Sequence, residues 1–451
     1  MSIILSPDQE YAFQKFKERK NLFITGPGGT GKSVLIRHLY QHATDMGKHV
    51  NVCALTGCAA VLLNCNAKTI HSWSGIKLAK GEKEGIIQGV LRNKRSLDKW
   101  RKVDILIVDE VSMMSVKIFE ILEEIGRRVK KPVLPFGGIQ VVFTGDFYQL
   151  PPVGNESERD TCNFCFKSVF WNRVFPWENH ISLTTMYRQK DPEYIRILHQ
   201  VRTGSIDESG SALLSSHVNR KCGDSCPPKL YALKNRADYI NSSMYAKLDS
   251  DEQSFDCIVK TDVDTYKEGK SIPVAIKSQC SRMTGEQKQY EIDNLINVWS
   301  IPKVLKLKVG SNVMCKFNTT YGENTFYNGL QGTIIEFRAN GLPVVKFENG
   351  MTSAVPYYEC QSEEYPCISV SQIPLMLCWA MTIHKIQGAT LSCAEMDLGS
   401  TVFEYGQSYV ALSRIQKLEG LYLTSFNPTK IKANPCIHEF YEKIPSVPLT
   451  E

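Results

Sequence analysis

The stretch that most constrains this chain lies near its N-terminus and matches the pattern G-x-x-x-x-G-K-[ST]; it reads Gly26, Pro27, Gly28, Gly29, Thr30, Gly31, Lys32 and Ser33. An apolar strand pattern precedes it and a helical pattern follows it, which is the context that a phosphate-binding loop requires. Glycines let backbone N–H groups turn toward phosphate oxygens, and the helix N-terminus adds positive potential. Lys32 can reach the β- and γ-phosphates, and the Ser33 hydroxyl can ligate Mg²⁺. The loop therefore predicts binding of a nucleoside triphosphate.

The bulk composition is that of a globular protein of several domains. The chain has 451 residues, 43% of them hydrophobic and 22% charged, and this length suggests about three domains. Its net charge of +6 permits nucleic-acid binding but favours it only weakly. No apolar run approaches about 18 residues and the N-terminus lacks a secretory signal, so we expect no membrane span and an intracellular, reducing location in nucleus or cytoplasm. A cellular and a viral host both remain open.

Fifteen cysteines are a high count for such a chain, and free thiols are the expectation. The closely spaced pairs Cys162/Cys165 and Cys222/Cys226 could supply four thiolates to a structural zinc ion. Apolar residues surround the first pair, however, and buried cysteine often packs as a small hydrophobic residue. Packing is therefore the favoured interpretation, and zinc is the alternative.

Alternating strand and helix patterns predict an α/β fold for residues 1–155. Short apolar strands alternate there with helical stretches, which is typical of a mostly parallel sheet covered by helices. The strands are predicted at 22–25, 50–55, 105–108 and 141–144. Because ligands bind at the carboxyl ends of such strands, the polar motifs that follow them should meet in space.

A second α/β region is predicted from about residue 181, and a β-rich segment interrupts it. Its strands are predicted at 180–184, 230–233, 375–381, 395–398 and 420–424. The interrupting residues, about 245–365, carry short β patterns such as 309–314 and 332–337, joined by turns such as Asn328-Gly329. These patterns indicate a small barrel.

Polar residues with the chemistry of nucleotide hydrolysis follow the predicted strands. Asp109 and Glu110 end an apolar strand; in P-loop hydrolases such an Asp holds Mg²⁺, and the adjacent Glu can polarise the attacking water. Gln149 follows the next strand, and its amide can contact a γ-phosphate or orient water. Arg188 and Arg414 are candidates to neutralise the charge that develops on the transferred phosphoryl group.

The order of these motifs resembles superfamily 1 DNA helicases and, more narrowly, the Pif-one helicase family. The broad resemblance rests on residues 5–9, the phosphate loop, 56–60, 69–72 and 108–113. The narrow one rests on PFGG (135–138), GDFYQLPPV (145–153), NGLQG (328–332), TIHKIQGATL (382–391) and YVALSR (409–414). It covers the chain from about residue 5 to about residue 425.

The resemblance implies a motor with two RecA-like parallel-sheet domains and an ATP cleft between them. It places the first domain at 1–175, with a small duplex-parting wedge at about 75–91, and the second at 176–245 and 366–451. The second is interrupted at 246–365 by a β-rich, Src-homology-like barrel that binds and unwinds DNA. Such enzymes move 5′→3′ on single-stranded DNA and unwind forked or tailed duplexes in replication, recombination, repair and telomere maintenance.

The resemblance also implies roles for single residues around the nucleotide. Gln9 matches the adenine-reading motif, and the loop from Gly26 to Ser33 matches the phosphate ligands. Ser33 and Asp109 match the Mg²⁺ ligands and Glu110 the base. Gln149, Arg188 and Arg414 match the contacts to the γ-phosphate, and Arg414 matches the arginine finger.

Five further residues match positions along the single-strand path: Thr56, His71, Thr382, His384 and Lys385. The chain departs from the family pattern at Ile386, where serine is usual, and at Cys378, where alanine is usual. The isoleucine removes a hydroxyl that could contact DNA.

The expected activity is therefore an ATP-dependent 5′→3′ DNA helicase that uses Mg²⁺ and works as a monomer. A P-loop phosphotransferase without DNA-coupled motion is the alternative; it explains the loop and acids but not Arg188 and Arg414. A nucleic-acid clamp with an inactive ATP site is a third interpretation, and the intact Lys32, Asp109 and Glu110 speak against it. Stimulation of ATP hydrolysis by single-stranded DNA separates the first two.

Overall fold

A computed structural model of the chain describes residues 4–63, 65, 67–221, 227–266, 269–317, 319–322, 324–326, 329–362 and 365–446. Cys222, Cys226 and Asn328, named above, lie outside these described residues. The chain divides into two compact units. The first comprises Met1–Ala237 and Met381–Glu451, and the second is Asp238–Ala380.

The phosphate loop belongs to a six-stranded parallel sheet in the first unit. In order across the sheet, the strands are Lys68–Thr69, Val50–Ala54, Ile105–Asp109, Gln140–Thr144, Leu22–Thr25 and His180–Ser182. The third, fourth and fifth strands in this order are buried at every residue, as expected where helices cover both faces of a parallel sheet. Their carboxyl ends therefore carry the polar motifs to one edge of the sheet, as predicted.

Helices connect these strands. Those of the first part of the unit are Pro7–Lys17, Lys32–Asp45, Gly57–Leu63, Ile70–Ser74, Lys83–Arg92, Lys94–Lys102, Val116–Val129, Arg159–Cys162 and Trp171–Val174. Short 3₁₀ turns lie at Val111–Met113, Pro135–Gly138, Cys165–Lys167 and Trp177–Asn179. Ser6 starts the first helix with a capping box, in which Ser6 and Gln9 satisfy each other's backbone N–H groups. Among the described helices, none has the length and apolar character needed to span a bilayer.

A second, four-stranded sheet lies in the same unit. Its strands, in order, are Ala380–Thr382, Lys229–Tyr231, Ala394–Leu398 and Leu421–Phe426. The last three run parallel to one another. The accompanying helices and 3₁₀ turns are Pro192–Thr203, Glu208–Ser216, Ile383–Ile386, Gln407–Leu412, Leu418–Gly420, Pro428–Lys430 and Pro435–Tyr441. The helix Lys234–Ala246 begins in this unit and ends in the second. Two parallel sheets with helical connections confirm the predicted α/β fold with two RecA-like domains.

Two strand assignments made from the sequence are wrong. The strand His180–Ser182 pairs in parallel with Leu22–Thr25, so it is the outer strand of the first sheet rather than the start of the second. The apolar run at 375–381 is two strands: Leu375–Leu377 joins an antiparallel sheet and Ala380–Thr382 joins the second parallel sheet. An apolar pattern predicts that a strand is buried, but it does not specify which neighbour the strand pairs with.

The second unit is built from antiparallel strands and two helices. Its largest sheet contains, in order, Thr352–Ala354, Pro343–Phe347, Gln331–Phe337, Asn312–Cys315 and Leu375–Leu377. Two smaller sheets pair Val304–Lys308 with Glu252–Asp256 and Thr319–Tyr321 with Asn324–Phe326. In a third, Ser369–Gln372 is the central strand between Tyr358–Gln361 and Ile258–Lys260. The helices are Val274–Ser281 and Gly285–Val298. The Src-homology-like assignment and the boundaries 246–365 stay predictions.

Most of the described cysteines are buried. Cys165 is fully buried, and its thiol lies 3.7 Å from the carbonyl oxygen of Val111. Among the described residues, no group of three or more His, Cys, Asp or Glu side chains could hold a metal ion. The zinc alternative for Cys162, Cys165, Cys222 and Cys226 stays a prediction, because the last two lie outside the described residues.

The last helix, Pro435–Tyr441, packs its Phe440 ring into an aromatic cluster behind the first sheet. The ring centroid of Phe440 lies 4.3 Å from that of Phe166, 5.4 Å from Phe147 and 5.6 Å from Trp177. Aromatic pairs at such separations stabilise a core beyond the area that they bury. The chain end is therefore fixed to the sheet that carries the phosphate loop.

His180 sits in this cluster as a neutral side chain. Its Nε2 accepts a 3.0 Å hydrogen bond from the Trp171 indole, which leaves Nδ1 to donate to the carbonyl oxygen of Pro176 at 3.1 Å. Burial lowers the pKa of His180 to about 4. The folded state therefore resists protonation that the unfolded chain accepts below about pH 6.5.

We predict that His180 makes the protein less stable as the pH falls from about 6.5 to 4. Because the folded-state pKa is the lower one, the full contribution is present above about pH 6.5, and about 3 kcal/mol is lost by pH 4. His180→Gln retains both hydrogen bonds and does not titrate, so its unfolding free energy should fall less over this range. Urea unfolding followed by tryptophan fluorescence measures the difference. Parallel pH profiles for wild type and His180→Gln, with exposed His49→Gln as control, would contradict the assignment.

Candidate active site

The phosphate loop turns sharply from its strand into the helix Lys32–Asp45. Gly26 has φ 143° and Gly31 has φ 80°, conformations that side chains with a Cβ rarely adopt. A Cβ at Gly26 would lie 2.5 Å from the carbonyl oxygen of Leu183, and one at Gly31 would lie 2.6 Å from the side-chain nitrogen of Gln9. Both positions therefore require glycine, and the loop keeps the tight turn that a phosphate cradle needs.

The Lys32 ammonium lies inside the loop. Its Nζ donates to the carbonyl oxygens of Gly26 at 2.6 Å and Pro27 at 2.9 Å. Burial lowers the pKa of Lys32, and the nearby carboxylates of Asp146 and Glu110 oppose that shift. Charged phosphate oxygens are stronger acceptors than neutral carbonyls, so this ammonium is placed to exchange its partners for a triphosphate.

Asp109 and Glu110 stand together at the end of their strand, and both are buried. Asp109 Oδ1 accepts hydrogen bonds from the Thr144 hydroxyl and, at 2.9 Å, from the Glu110 amide. Glu110 has φ 56° and ψ 40°, a left-handed conformation that is uncommon outside glycine and typical of functional sites. Burial raises the pKa of Asp109; burial and then the Asp109 charge raise the pKa of Glu110 to about 7. Such a carboxylate can accept a proton from water.

Gln387, which follows the strand Ala380–Thr382 of the second sheet, contacts Glu110. The side-chain nitrogen of Gln387 donates to Glu110 Oε2 at 3.0 Å and lies 3.5 Å from Gln149 Oε1. Both glutamines are buried. Gln149 is thereby linked to Glu110 through Gln387, a residue for which the sequence motifs indicated no role.

The Arg414 guanidinium reaches the phosphate loop and is buried. Its terminal nitrogen lies 3.4 Å from where a Cβ on Gly28 would be. Nε donates to the carbonyl oxygen of Val410 at 2.9 Å, and a terminal nitrogen donates to the Ser413 hydroxyl at 2.8 Å. Burial lowers the pKa of Arg414, and the charge of Glu110 opposes this shift. Residues nearly 400 positions apart thus meet at one loop.

Arg188 packs against the same loop at Gly29. A Cβ at Gly29 would lie 2.7 Å from Arg188 Cβ. Its guanidinium donates to the carbonyl oxygen of Ser413 at 2.9 Å. Burial lowers the pKa of Arg188 to about 9, and the nearby positive charge of Arg414 adds to this effect. Two cations held this close are poorly compensated by protein groups alone, and an anion between them would stabilise both.

Gln9 touches the loop through its amide. Its side-chain nitrogen donates to the carbonyl oxygen of Thr30 at 3.3 Å, and its oxygen accepts from the Ser6 amide at 3.1 Å. The neighbouring Asp8 accepts a 2.6 Å hydrogen bond from the Thr184 amide. These contacts fix the first helix beside the loop. The adenine-reading role of Gln9 stays a prediction.

A buried polar network lies behind the loop, and the sequence analysis missed it. Asp146 forms a bidentate ion pair with Arg202, with both N–O distances at 2.9 Å. The hydroxyls of Tyr409 and Tyr441 each donate to Asp146 at 3.1 Å. The Gly28 amide in turn donates to the Tyr409 hydroxyl at 2.8 Å. The loop is thus tied to the Asp146 carboxylate. Burial raises the pKa of this group, but Arg202, Lys32 and the Tyr148 amide together bring the pKa below its usual value.

The residues predicted to contact DNA have different exposures. Lys385 is exposed, while His71 and His384 are half-buried, and burial lowers the pKa of each imidazole. Thr382 is buried, and Thr56 caps the helix Gly57–Leu63 by accepting the Ala59 amide at 3.2 Å.

His71 lines a cavity of about 490 Å³ together with Leu78 and Lys80 of the predicted wedge. Leu78 is exposed at the rim. The wedge segment is anchored through Lys83, which pairs with Glu120 at 2.7 Å. Its role in parting duplex DNA stays a prediction, as do the five DNA contacts. Ile386 is buried, so its replacement of serine is an interior change in this structure.

Comparison with known proteins decides the family. The PIF1-like helicase family model matches residues 4–211. The ATP-dependent DNA helicase Pif1 of Bdellovibrio bacteriovorus is 32% identical over 443 residues, which cover 98% of this chain and 92% of the relative. The chain belongs to the PIF1-like helicase family.

Solved structures of the family agree. The crystal structure of Pif1 helicase from Candida albicans has a TM-score of 0.78 and 32% identity, and the match covers 98% of this chain and all of that one. A Bacteroides sp. Pif1 in complex with ADP-AlF4 has a TM-score of 0.71 and 26% identity, with 98% and 97% covered. A small-molecule phosphotransferase finds no support.

The structure brings together six of the predicted residues in one pocket: Lys32, Asp109, Glu110, Gln149, Arg188 and Arg414. The motifs GDFYQLPPV and TIHKIQGATL contained two of the missed ones, Asp146 and Gln387, so motif membership was the available signal. Arg202 and Tyr441 stand in no recognised motif. Only the folded chain places them beside Asp146.

The pocket has oxygen groups suited to Mg²⁺, the divalent ion expected with a triphosphate. Ser33 is exposed on the first turn of its helix. Within the described part of the chain, both hydrogen bonds to Asp109 go to Oδ1, and Oδ2 is left for a cation. A hydroxyl and a carboxylate are hard ligands that this ion prefers.

We predict that Arg202→Leu destabilises the protein by about 3–5 kcal/mol, because Asp146 remains buried without its cation. Thermal and urea unfolding measure this loss. Arg196→Leu is the matched control, since Arg196 pairs with Asp207 on the surface at 2.6 Å, and exposed pairs contribute about 1 kcal/mol or less. Equal effects of the two variants would show that the Asp146–Arg202 pair is not the anchor described here.

Proposed function

We propose that this chain is an ATP-dependent DNA helicase that moves 5′→3′ on single-stranded DNA and unwinds forked or tailed duplexes. The observation that carries the proposal is the convergence of Arg188 and Arg414 on the phosphate loop. Arg188 follows the outer strand of the first sheet, His180–Ser182, and Arg414 precedes the last strand of the second sheet, Leu421–Phe426. A pocket completed from both halves of the motor can change shape when its triphosphate is cleaved.

The relatives support this activity. The Bdellovibrio relative and those of yeast, zebrafish and human origin are named ATP-dependent DNA helicases. Bacteroides Pif1 structures contain single-stranded DNA or ADP-AlF4. A relative of 29% identity is encoded by an invertebrate iridescent virus, so the family occurs in cells and viruses. Action on DNA inside a cell, in replication, recombination, repair or telomere maintenance, fits this membership.

Each residue of the pocket has its own role in ATP hydrolysis. Lys32 and the loop amides hold the β- and γ-phosphates, and Glu110 accepts a proton from the attacking water. Gln149, Arg188 and Arg414 contact the γ-phosphate, where the two guanidinium groups neutralise developing charge. Mg²⁺, held by Ser33 and Asp109, would neutralise phosphate charge when bound. Gln9 contacts the adenine.

The proposed contacts to single-stranded DNA follow from what a translocating motor has to hold. It holds any sequence, so it contacts backbone phosphates and stacks on base faces. The proposed single-strand path is formed by Thr382, His384 and Lys385 on one segment and by Thr56 and His71 on another. We propose that a monomer suffices for movement.

Unwinding of tailed duplexes tests the proposal. We expect ATP-dependent unwinding of a duplex with a 5′ single-stranded tail and none of the same duplex with a 3′ tail, because movement has one polarity. Lys32→Ala should bind the tail with wild-type affinity yet neither hydrolyse ATP nor unwind. Unwinding from the 3′ tail only, or hydrolysis that does not rise with single-stranded DNA, would reject the proposed activity.

A further inference from the structure

Gln387 makes two contacts in the pocket that fix the orientation of its amide. Its nitrogen faces two oxygen acceptors, Glu110 Oε2 at 3.0 Å and Gln149 Oε1 at 3.5 Å. The ionised carboxylate of Glu110, the form that acts as a base, can only accept hydrogen bonds, so the –NH₂ end of Gln387 points to it. The side chain is only 2% exposed.

The carbonyl end of the same amide is unpaired. Gln387 Oε1 is buried and has no hydrogen-bond partner among the described residues. A buried polar atom left without a partner costs about 1–3 kcal/mol. Natural structures keep few such atoms, and those that they keep often serve function.

The surroundings of Gln387 place this free acceptor at the reacting end of the pocket. The next residue, Gly388, has φ 83°, and a Cβ there would lie 3.7 Å from Glu110 Oε1. The charged groups that act on Glu110 are Asp109, Arg414 and Lys32. None of these three offers a neutral hydrogen-bond acceptor, whereas Gln387 does.

We propose that Gln387 is a positioning residue for ATP hydrolysis, which rests on the proposed function: its N–H holds the Glu110 carboxylate, and its carbonyl oxygen orients the attacking water. The water oxygen bonds to the γ-phosphorus while the bond from that phosphorus to the β,γ-bridging oxygen breaks. One water proton passes to Glu110, and the other O–H donates to Gln387 Oε1. The products are ADP and inorganic phosphate.

Single-turnover hydrolysis measures the effect. Gln387→Ala should lower the rate by about 10- to 100-fold, a part of the factor that a positioned base supplies. The affinity for a fluorescent ADP analogue should stay within about threefold, because the amide contacts base and water rather than the loop. Gln387→Glu keeps the volume but places a carboxylate against Glu110, and it should be at least as slow.

Gln372→Ala is the matched control. Gln372 is a buried glutamine of the second unit whose nitrogen donates to the carbonyl oxygens of Phe255 and Pro302. This variant loses buried hydrogen bonds that are made within the second unit, so it should lower stability without changing the single-turnover rate. A wild-type rate in Gln387→Ala would overturn the inference.

A double-mutant cycle with Glu110→Gln separates positioning from a general structural effect. If Gln387 acts through Glu110, then Gln387→Ala should slow the Glu110→Gln enzyme by no more than about twofold. The same fold-loss in both backgrounds would overturn the inference and leave Glu110 as base. Equal rates of wild type and Glu110→Gln would instead reject Glu110 as the base, and the inference with it, while the helicase activity itself is tested separately by unwinding of the tailed duplexes.

Discussion

Burial of charge around one phosphate loop is the constraint on which the rest of this structure depends. Lys32, Glu110, Arg188 and Arg414 all have pKa values displaced toward their neutral forms by burial. Their mutual attractions offset only part of that cost, since two of the cations repel each other. A triphosphate brings the negative charge that these cations lack, so binding and closure of the pocket stabilise one another.

The same constraint explains why the loop is supported from behind. Gly28 is tied through Tyr409 to Asp146, and Asp146 is held by Arg202 and Tyr441. A buried ion pair of this kind is costly to break, so it is a stable support for the phosphate loop. The final helix takes part through Tyr441, so the support of the pocket extends almost to the last described residue. Nothing in the composition of that helix indicates such a task.

Local sequence rules predicted what depends on local sequence. The glycine pattern specified the loop, and apolar runs ending in Asp109 and before Gln149 specified strands whose ends converge. Pairing partners could not be predicted in this way: the strand His180–Ser182 joined the first sheet because the edge beside Leu22–Thr25 was open to it. Arg202 and Gln387 could not be assigned roles from the sequence, because their roles depend on contacts with Asp146 and Glu110 that only the folded chain brings about.

We propose that Arg414 completes a catalytic pocket whose other groups lie far from it in the chain. The most direct test is presteady-state ATP hydrolysis by Arg414→Ala with saturating single-stranded DNA, together with the affinity for ATP. We expect that Arg414→Ala still binds ATP but hydrolyses it about 10³-fold more slowly or slower still, which is the loss expected when an arginine finger is removed. A normal hydrolysis rate in this variant would contradict it.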